Sequence, residues 1–147
     1  MIRSAHPDDA DVVARIFRES RAEAMPWLPV VRTWDEVRAY FGGGVLGGEA
    51  WVSEGEGGVL GFAVLDRDGL HHLYVAPAAQ GRGVGSALFA TAQQARPGGF
   101  ELWVFRDNSR ARRFYEARGC RVIRETDGAG NEERTSDVLY EWRPSNP

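Results

Sequence analysis

Apolar positions along this chain fall into two rhythms. Near the start, Val12, Val13, Ile16 and Phe17 recur at helical spacing, which predicts a helix over residues 7–24. Pro7, Asp8 and Asp9 suit its beginning, where acids meet the positive end of the helix dipole. A short strand, MIRSA, precedes it. The segment MPWLPVVRT breaks the pattern with two prolines. WDEVRAYF is predicted as a second short helix, closed by GGG.

The rhythm then changes. EAWVSEGEGGVLGFAVLDRDG reads as two strands joined by a Gly/Glu turn, and LHHLYVAP as another strand. A helix is predicted from about Gly83 to Arg96, stopped by PGG. FELWVF is a strand. SRARRFYEARG is a helix with Ser109 or Asn108 as its N-cap and Gly119 just past its end. CRVIRET and VLYEWR are two final strands around a polar loop. The order is that of a mixed α/β (α+β) single domain over residues 1–143 with one large sheet, and residues 144–147 are expected to be a frayed tail.

Composition narrows the class. A length of 147 residues suits one domain, and 43% apolar residues suffice for a core. No apolar run approaches a membrane span of roughly 18 residues, and MIRSAHPDD lacks the apolar stretch of a signal peptide. A cytoplasmic protein without membrane contact is expected. Cys120 is the sole cysteine, so no intrachain disulfide forms. With His6, His71 and His72 as the only histidines, no metal site is expected. The net charge of −3 argues against a nucleic-acid partner. All 18 basic residues are arginine, which excludes a phosphate-binding lysine of the Walker type and a lysine Schiff base.

The candidate chemistry centres on APAAQGRGVGSALFATA. Gly81, Gly83 and Gly85 stand directly before an apolar helical pattern. Glycine at a helix start costs backbone entropy, so either a tight turn or the approach of a ligand to bare backbone requires it. A P-loop would need a lysine. A dinucleotide fingerprint fails at Ser86, where its third glycine belongs. The pattern Q/R-x-x-G-x-G/A fits at Gln80, Gly83 and Gly85.

Here the chain resembles the GNAT superfamily of N-acetyltransferases. LYVAPAAQGRGVGSALFATA is similar to that family's acetyl-CoA motif, and RDNSRARRFYEARG to its second hallmark, an Asn followed seven residues later by a Tyr and then a Gly. The resemblance is close from Leu70 to Gly119 and extends elsewhere through element order. Cys120 departs from it, since an aromatic commonly follows that Gly. The resemblance implies a GNAT-like fold: a central, mostly antiparallel sheet of about seven strands flanked by about four helices. It implies acetyl-CoA as co-substrate, with a strand that splays from its neighbour and backbone groups of Tyr74, Val75 and Ala76 on the pantetheine arm.

The residues agree with that implication. Amides of Gln80, Gly81, Arg82, Gly83, Val84, Gly85 and Ser86 can converge on a pyrophosphate at a helix N-terminus. Arg82 either adds charge or is simply solvated. With about 3.6 residues per turn, Asn108 and Tyr115 share one helix face. Tyr115 is the candidate acid for the departing thiolate, or else a core aromatic beside Phe114. Asn108 can hold the pantetheine, cap the helix, or do both. His71 is the candidate base and matches a histidine position of arylalkylamine-type members; Glu49 or a water chain are alternatives. Strand alternation groups His71 with Leu73 and Val75, and His72 with Tyr74. In the family, the segment between the first two helices and the last strand loop flank the acceptor. Here Met25 and Trp27 would form an apolar wall there, and Glu132 and Glu133 would attract a cationic amine.

The expected activity is direct acetyl transfer to a primary amine, that of a small metabolite or an antibiotic or the α-amine of a peptide. The expected partners are acetyl-CoA and that amine, and a homodimer is left open. A non-catalytic acyl-CoA-binding or sensing domain is the alternative. A nucleotide-binding oxidoreductase is disfavoured by the failed fingerprint.

Overall fold

The alternation in the first half of the chain becomes a four-stranded antiparallel sheet in the computed structural model, which describes residues 1–145. Its order is β1 (Ile2–Ser4), β2 (Glu49–Gly55), β3 (Gly58–Asp66) and β4 (Gly69–Val75). β5 (Phe100–Phe105), β6 (Arg121–Thr126) and β7 (Asp137–Trp142) form a second sheet in the order β5-β7-β6. Four helices accompany them: α1 (Ala10–Ala24), α2 (Trp34–Gly42), α3 (Val84–Ala95) and α4 (Ser109–Glu116). Pro144 and Ser145 belong to no helix or strand, and the remainder of the expected tail lies outside the described residues.

The seven strands and four helices agree with the expected inventory, but the expected single sheet is divided. Among the described residues every strand pairing is antiparallel, and no ladder joins β4 to β5. The two strands meet at their beginnings. Gly69 has φ +139°, and a Cβ there would fall 2.0 Å from the Glu101 carbonyl oxygen. Only glycine permits that approach. Farther along, the space beside β4 is a cavity.

Both faces of β3 are buried. Phe62 and Val64 point to one apolar cluster with Val13 and Ile16 of α1 and Phe41 of α2. Ala63 and Leu65 point to the other, with Leu88 and Phe89 of α3, Tyr115 of α4 and Tyr140 of β7. A buried Phe such as Phe62 contributes roughly 1.5–3 kcal/mol. α1 begins three residues later than predicted. Pro7–Asp9 form a 3-10 turn, in which the Asp9 carboxylate accepts from Arg3 Nη1 and Nη2 at 2.9 and 3.0 Å and from the His6 amide at 2.8 Å. Thr33 and Glu36 cap α2 reciprocally.

One irregularity matters for the site. Val64 pairs with His72, but Leu65 pairs with Leu70, so His71 is the additional residue of a β-bulge. The bulge resets the alternation. Leu70, not His71, joins Leu73 and Val75 on the α3 side. The expected grouping of His71 with Leu73 and Val75 is therefore corrected.

Candidate active site

A cavity of about 340 Å³ lies between β4, α3 and α4, with the C-terminal half of α1 closing one side. Its floor is Leu73, Tyr74 and Val75 at the end of β4. Next comes the glycine segment. Gly83 has φ +80° and acts as N-cap of α3 without any side-chain cap. A left-handed residue is what turns the chain from the loop into the helix, and glycine adopts it without steric cost. Among the described residues, the amides of Gly83, Val84, Gly85 and Ser86 make no hydrogen bond; the first helical bond runs from the Ala87 amide to the Gly83 carbonyl. All four residues line the cavity, and free amides at the positive end of a helix dipole suit an anion.

The opposite wall is α4. Asn108 Oδ1 accepts from the Ala111 amide at 3.2 Å, so this side chain caps the helix and lines the cavity as well. Two turns on from Asn108, Tyr115 is buried. Burial, with smaller contributions from Tyr74 and Cys120, pushes its phenol well above the ordinary tyrosine value. The Tyr74 phenol is raised too, mainly by burial. Both hydroxyls therefore keep their protons at neutral pH. Among the described residues nothing hydrogen-bonds the Tyr115 hydroxyl.

Most of the predicted binding residues line this one cavity: Tyr74, Val75, Gln80, Gly81, Gly83, Val84, Gly85, Ser86 and Asn108, together with Tyr115. Ala76 does not, because its amide is committed to the Leu60 carbonyl at 2.8 Å. Arg82 does not either; it is exposed and donates to the Ala78 carbonyl at 3.2 Å. Gln80 braces the loop, donating to the Val75 carbonyl at 3.3 Å and accepting from Arg110 at 2.6 Å.

A second cavity, about 430 Å³, opens between α1, the 25–33 segment, α2 and the β6–β7 loop. Met25 lines both cavities. Tyr74 of the first packs edge-on against Phe17 of the second, with ring centres 5.2 Å apart. Trp27 lines neither and is 44% exposed. A turn closed by the Leu28 amide on the Met25 carbonyl buries Leu28 and leaves Trp27 outside, so only half of the expected wall forms. Glu132 and Glu133 do line this cavity, but arginines take them: Arg32 pairs with Glu132 at 2.8 Å, and Arg21 with Glu133 at 3.2 Å.

The candidate bases lie elsewhere. His71 is turned to solvent by the bulge, pairs with Asp66 at 3.2 Å, and lines neither cavity. Glu49 pairs with Arg96 at 2.8 Å and lines neither cavity. His72 is buried among Phe17, Phe41 and Phe62, with Nε2 2.9 Å from the Tyr40 hydroxyl. Burial, then the neighbouring His71 and Arg21, hold its pKa well below the usual histidine value.

A family model for the GNAT acetyltransferase domain matches residues 47–121, which include both cavity-lining helices α3 and α4. The chain belongs to the GNAT acetyltransferase family. It is similar to the peptidyl-lysine N-acetyltransferase YiaC of Escherichia coli (strain K12), 29% identical over 124 residues and covering 84% of each chain. In fold it is similar to a GCN5-related N-acetyltransferase from Rhodopseudomonas palustris, with a TM-score of 0.80, 22% identity, and coverage of 98% of this chain and 95% of that one. It is likewise similar to the PaiA N-acetyltransferase of Thermoplasma acidophilum, solved in complex with coenzyme A, with a TM-score of 0.71, 18% identity and 98% of each chain covered. This GNAT domain is an N-acetyltransferase.

Two charged cavity residues of the GNAT domain were missed from sequence, Arg110 and Arg118. Arg110, in α4, and Arg118, in the turn just past its end, flank Phe114 at four-residue intervals. That spacing places 110, 114 and 118 on one face, and it was the available signal. Ser20 and Ala24, on the α1 side, carry no chemical signature in sequence.

Proposed function

We propose that this enzyme binds acetyl-CoA in the cavity between α3 and α4 and transfers the acetyl group directly to a primary amine held in the neighbouring cavity. The observation that carries the reading is the convergence on one cavity of four unpartnered amides, Arg118 and a proton-bearing Tyr115. The amides and Arg118 suit the phosphates. Val75 and Asn108 suit the pantetheine arm. The PaiA structure with coenzyme A supports the choice of ligand by likeness of fold.

The amine nitrogen attacks the thioester carbonyl, the C–N bond forms, and the C–S bond breaks. Tyr115 gives its proton to the departing sulfur and is restored by the proton the amine sheds through water. His71 is left out of this sequence because it lines neither cavity. Direct transfer is favoured over an acetyl-enzyme because burial pushes the one thiol, Cys120, up to about 11, which leaves little thiolate at neutral pH.

Initial rates measured against both substrates test the reading. Intersecting double-reciprocal lines are expected, with free thiol appearing only when a primary amine is present. Parallel lines, or an acetylated protein isolated without amine, would overturn direct transfer. Acetyl-CoA binding without thiol release from any amine would point instead to an acyl-CoA sensor.

A further inference from the structure

The cavity beside α1 is where the proposed acceptor sits, so the nature of that acceptor rests on the amine transfer proposed for this enzyme. Its walls are mostly apolar, with Phe17, Met25, Leu28 and Trp34 among them. Three arginines and two glutamates also line it. Arg32 is fully engaged, donating to both Glu132 and Glu36. Glu133 is engaged by Arg21. Neither glutamate is left to receive an ammonium group.

Two cationic groups remain incompletely answered. Among the described residues Arg18 has no carboxylate partner; its guanidinium lies over the Trp34 ring, 4.9 Å from the centroid. Arg21 stacks on Phe17 at 4.7 Å, and its Nε is buried with no hydrogen-bond partner. A buried donor left unmatched is costly and calls for an explanation. Arg18 and Arg21 are three residues apart on α1 and so are neighbours on one face. Among the described residues, Arg18 is therefore the guanidinium of this lining that no carboxylate meets, and it stands on the α1 wall.

We propose that the acceptor is a primary amine with an apolar body and a carboxylate set apart from the amine. The carboxylate sits against Arg18 and Arg21, and the amine points past Met25 toward Tyr115. A cationic or neutral far end would meet an unbalanced guanidinium, whereas a carboxylate forms charge-assisted hydrogen bonds in a site with apolar walls. An ω-amino acid presents this chemistry, and so does a lysine side chain flanked by acidic residues in a peptide.

Two pairs of acceptors, compared by kcat/KM from thiol release, test the inference: 6-aminohexanoate against hexylamine, and a lysine peptide with flanking glutamates against the same peptide with glutamines. The carboxylate member of one pair is expected to be preferred by about tenfold or more. Whichever pair shows the preference identifies the source, metabolite or peptide. Arg18→Gln should bring that ratio close to one. Equal use of both members in both pairs overturns the inference, as does a preference that survives in Arg18→Gln. Failure of all four acceptors to release thiol, with acetyl-CoA bound, would instead overturn amine transfer itself and this inference with it.

Discussion

Arg118 lies flat on Phe114, with its guanidinium carbon 3.6 Å from the ring centre, and donates to Ser86 Oγ in the first turn of α3. One side chain thus ties α4 to the helix start where the phosphates are proposed to bind. Arg118→Gln should weaken acetyl-CoA binding by roughly tenfold, as expected for a lost charge-assisted hydrogen bond. Calorimetry checks this. A lowered melting temperature with unchanged affinity would mean that Arg118 only braces the two helices.

Tyr115→Phe removes one oxygen and keeps the ring packed against Phe89 and Phe114. No protein hydrogen bond is lost with it. Affinity for acetyl-CoA should hold while kcat falls, by roughly 10²–10⁴-fold if the hydroxyl is a typical general acid. An unchanged kcat, with chemistry shown to limit the rate, would remove Tyr115 from the reaction.

The two motif glycines should fail in different ways. Gly83 sits at φ +80° with open space where a Cβ would stand, so Gly83→Ala costs about 1–2 kcal/mol in backbone strain. Gly85 has ordinary helical backbone, but a Cβ there would lie 3.4 Å from the Phe114 ring and 3.6 Å from Val75. Gly85→Val should therefore narrow the cavity and weaken acetyl-CoA binding more than it lowers stability. Urea unfolding and calorimetry on both variants separate the two effects.

Acid should act on His72 before the carboxylates. Its folded pKa is depressed, chiefly by burial, whereas the unfolded histidine titrates near ~6.5. Below that pH the unfolded chain takes up a proton that the folded chain refuses, so stability is present above about 6.5 and is lost as pH falls. His72→Gln should flatten this limb of the stability curve between about pH 6.5 and 5. Identical slopes in variant and parent would show that another group governs it.

The segments with a strong period or a specific cap were legible in the sequence. The glycine run before α3, the Asn108-to-Tyr115 spacing and the strand inventory depend on chemistry within about ten residues, and each appears where expected. His71 shows where that reasoning stops. Its alternation was read from β4 alone, but the register belongs to the pairing with β3, where the bulge falls.

The sequence by itself determined the helices, the strands and the glycine motif proposed to bind phosphates, because period, caps and glycines act locally. Only the tertiary structure decided which side chains meet across the two cavities. The sequence shows Glu132 and Glu133 as free carboxylates in a polar loop. Folding brings that loop to α1 and the segment before α2, where Arg21 and Arg32 neutralise them. The partners are about a hundred residues apart along the chain, and pairing at that separation is set by packing of the whole domain, which no local pattern encodes. The guanidinium left without a carboxylate partner in that cavity, among the described residues, is therefore that of Arg18.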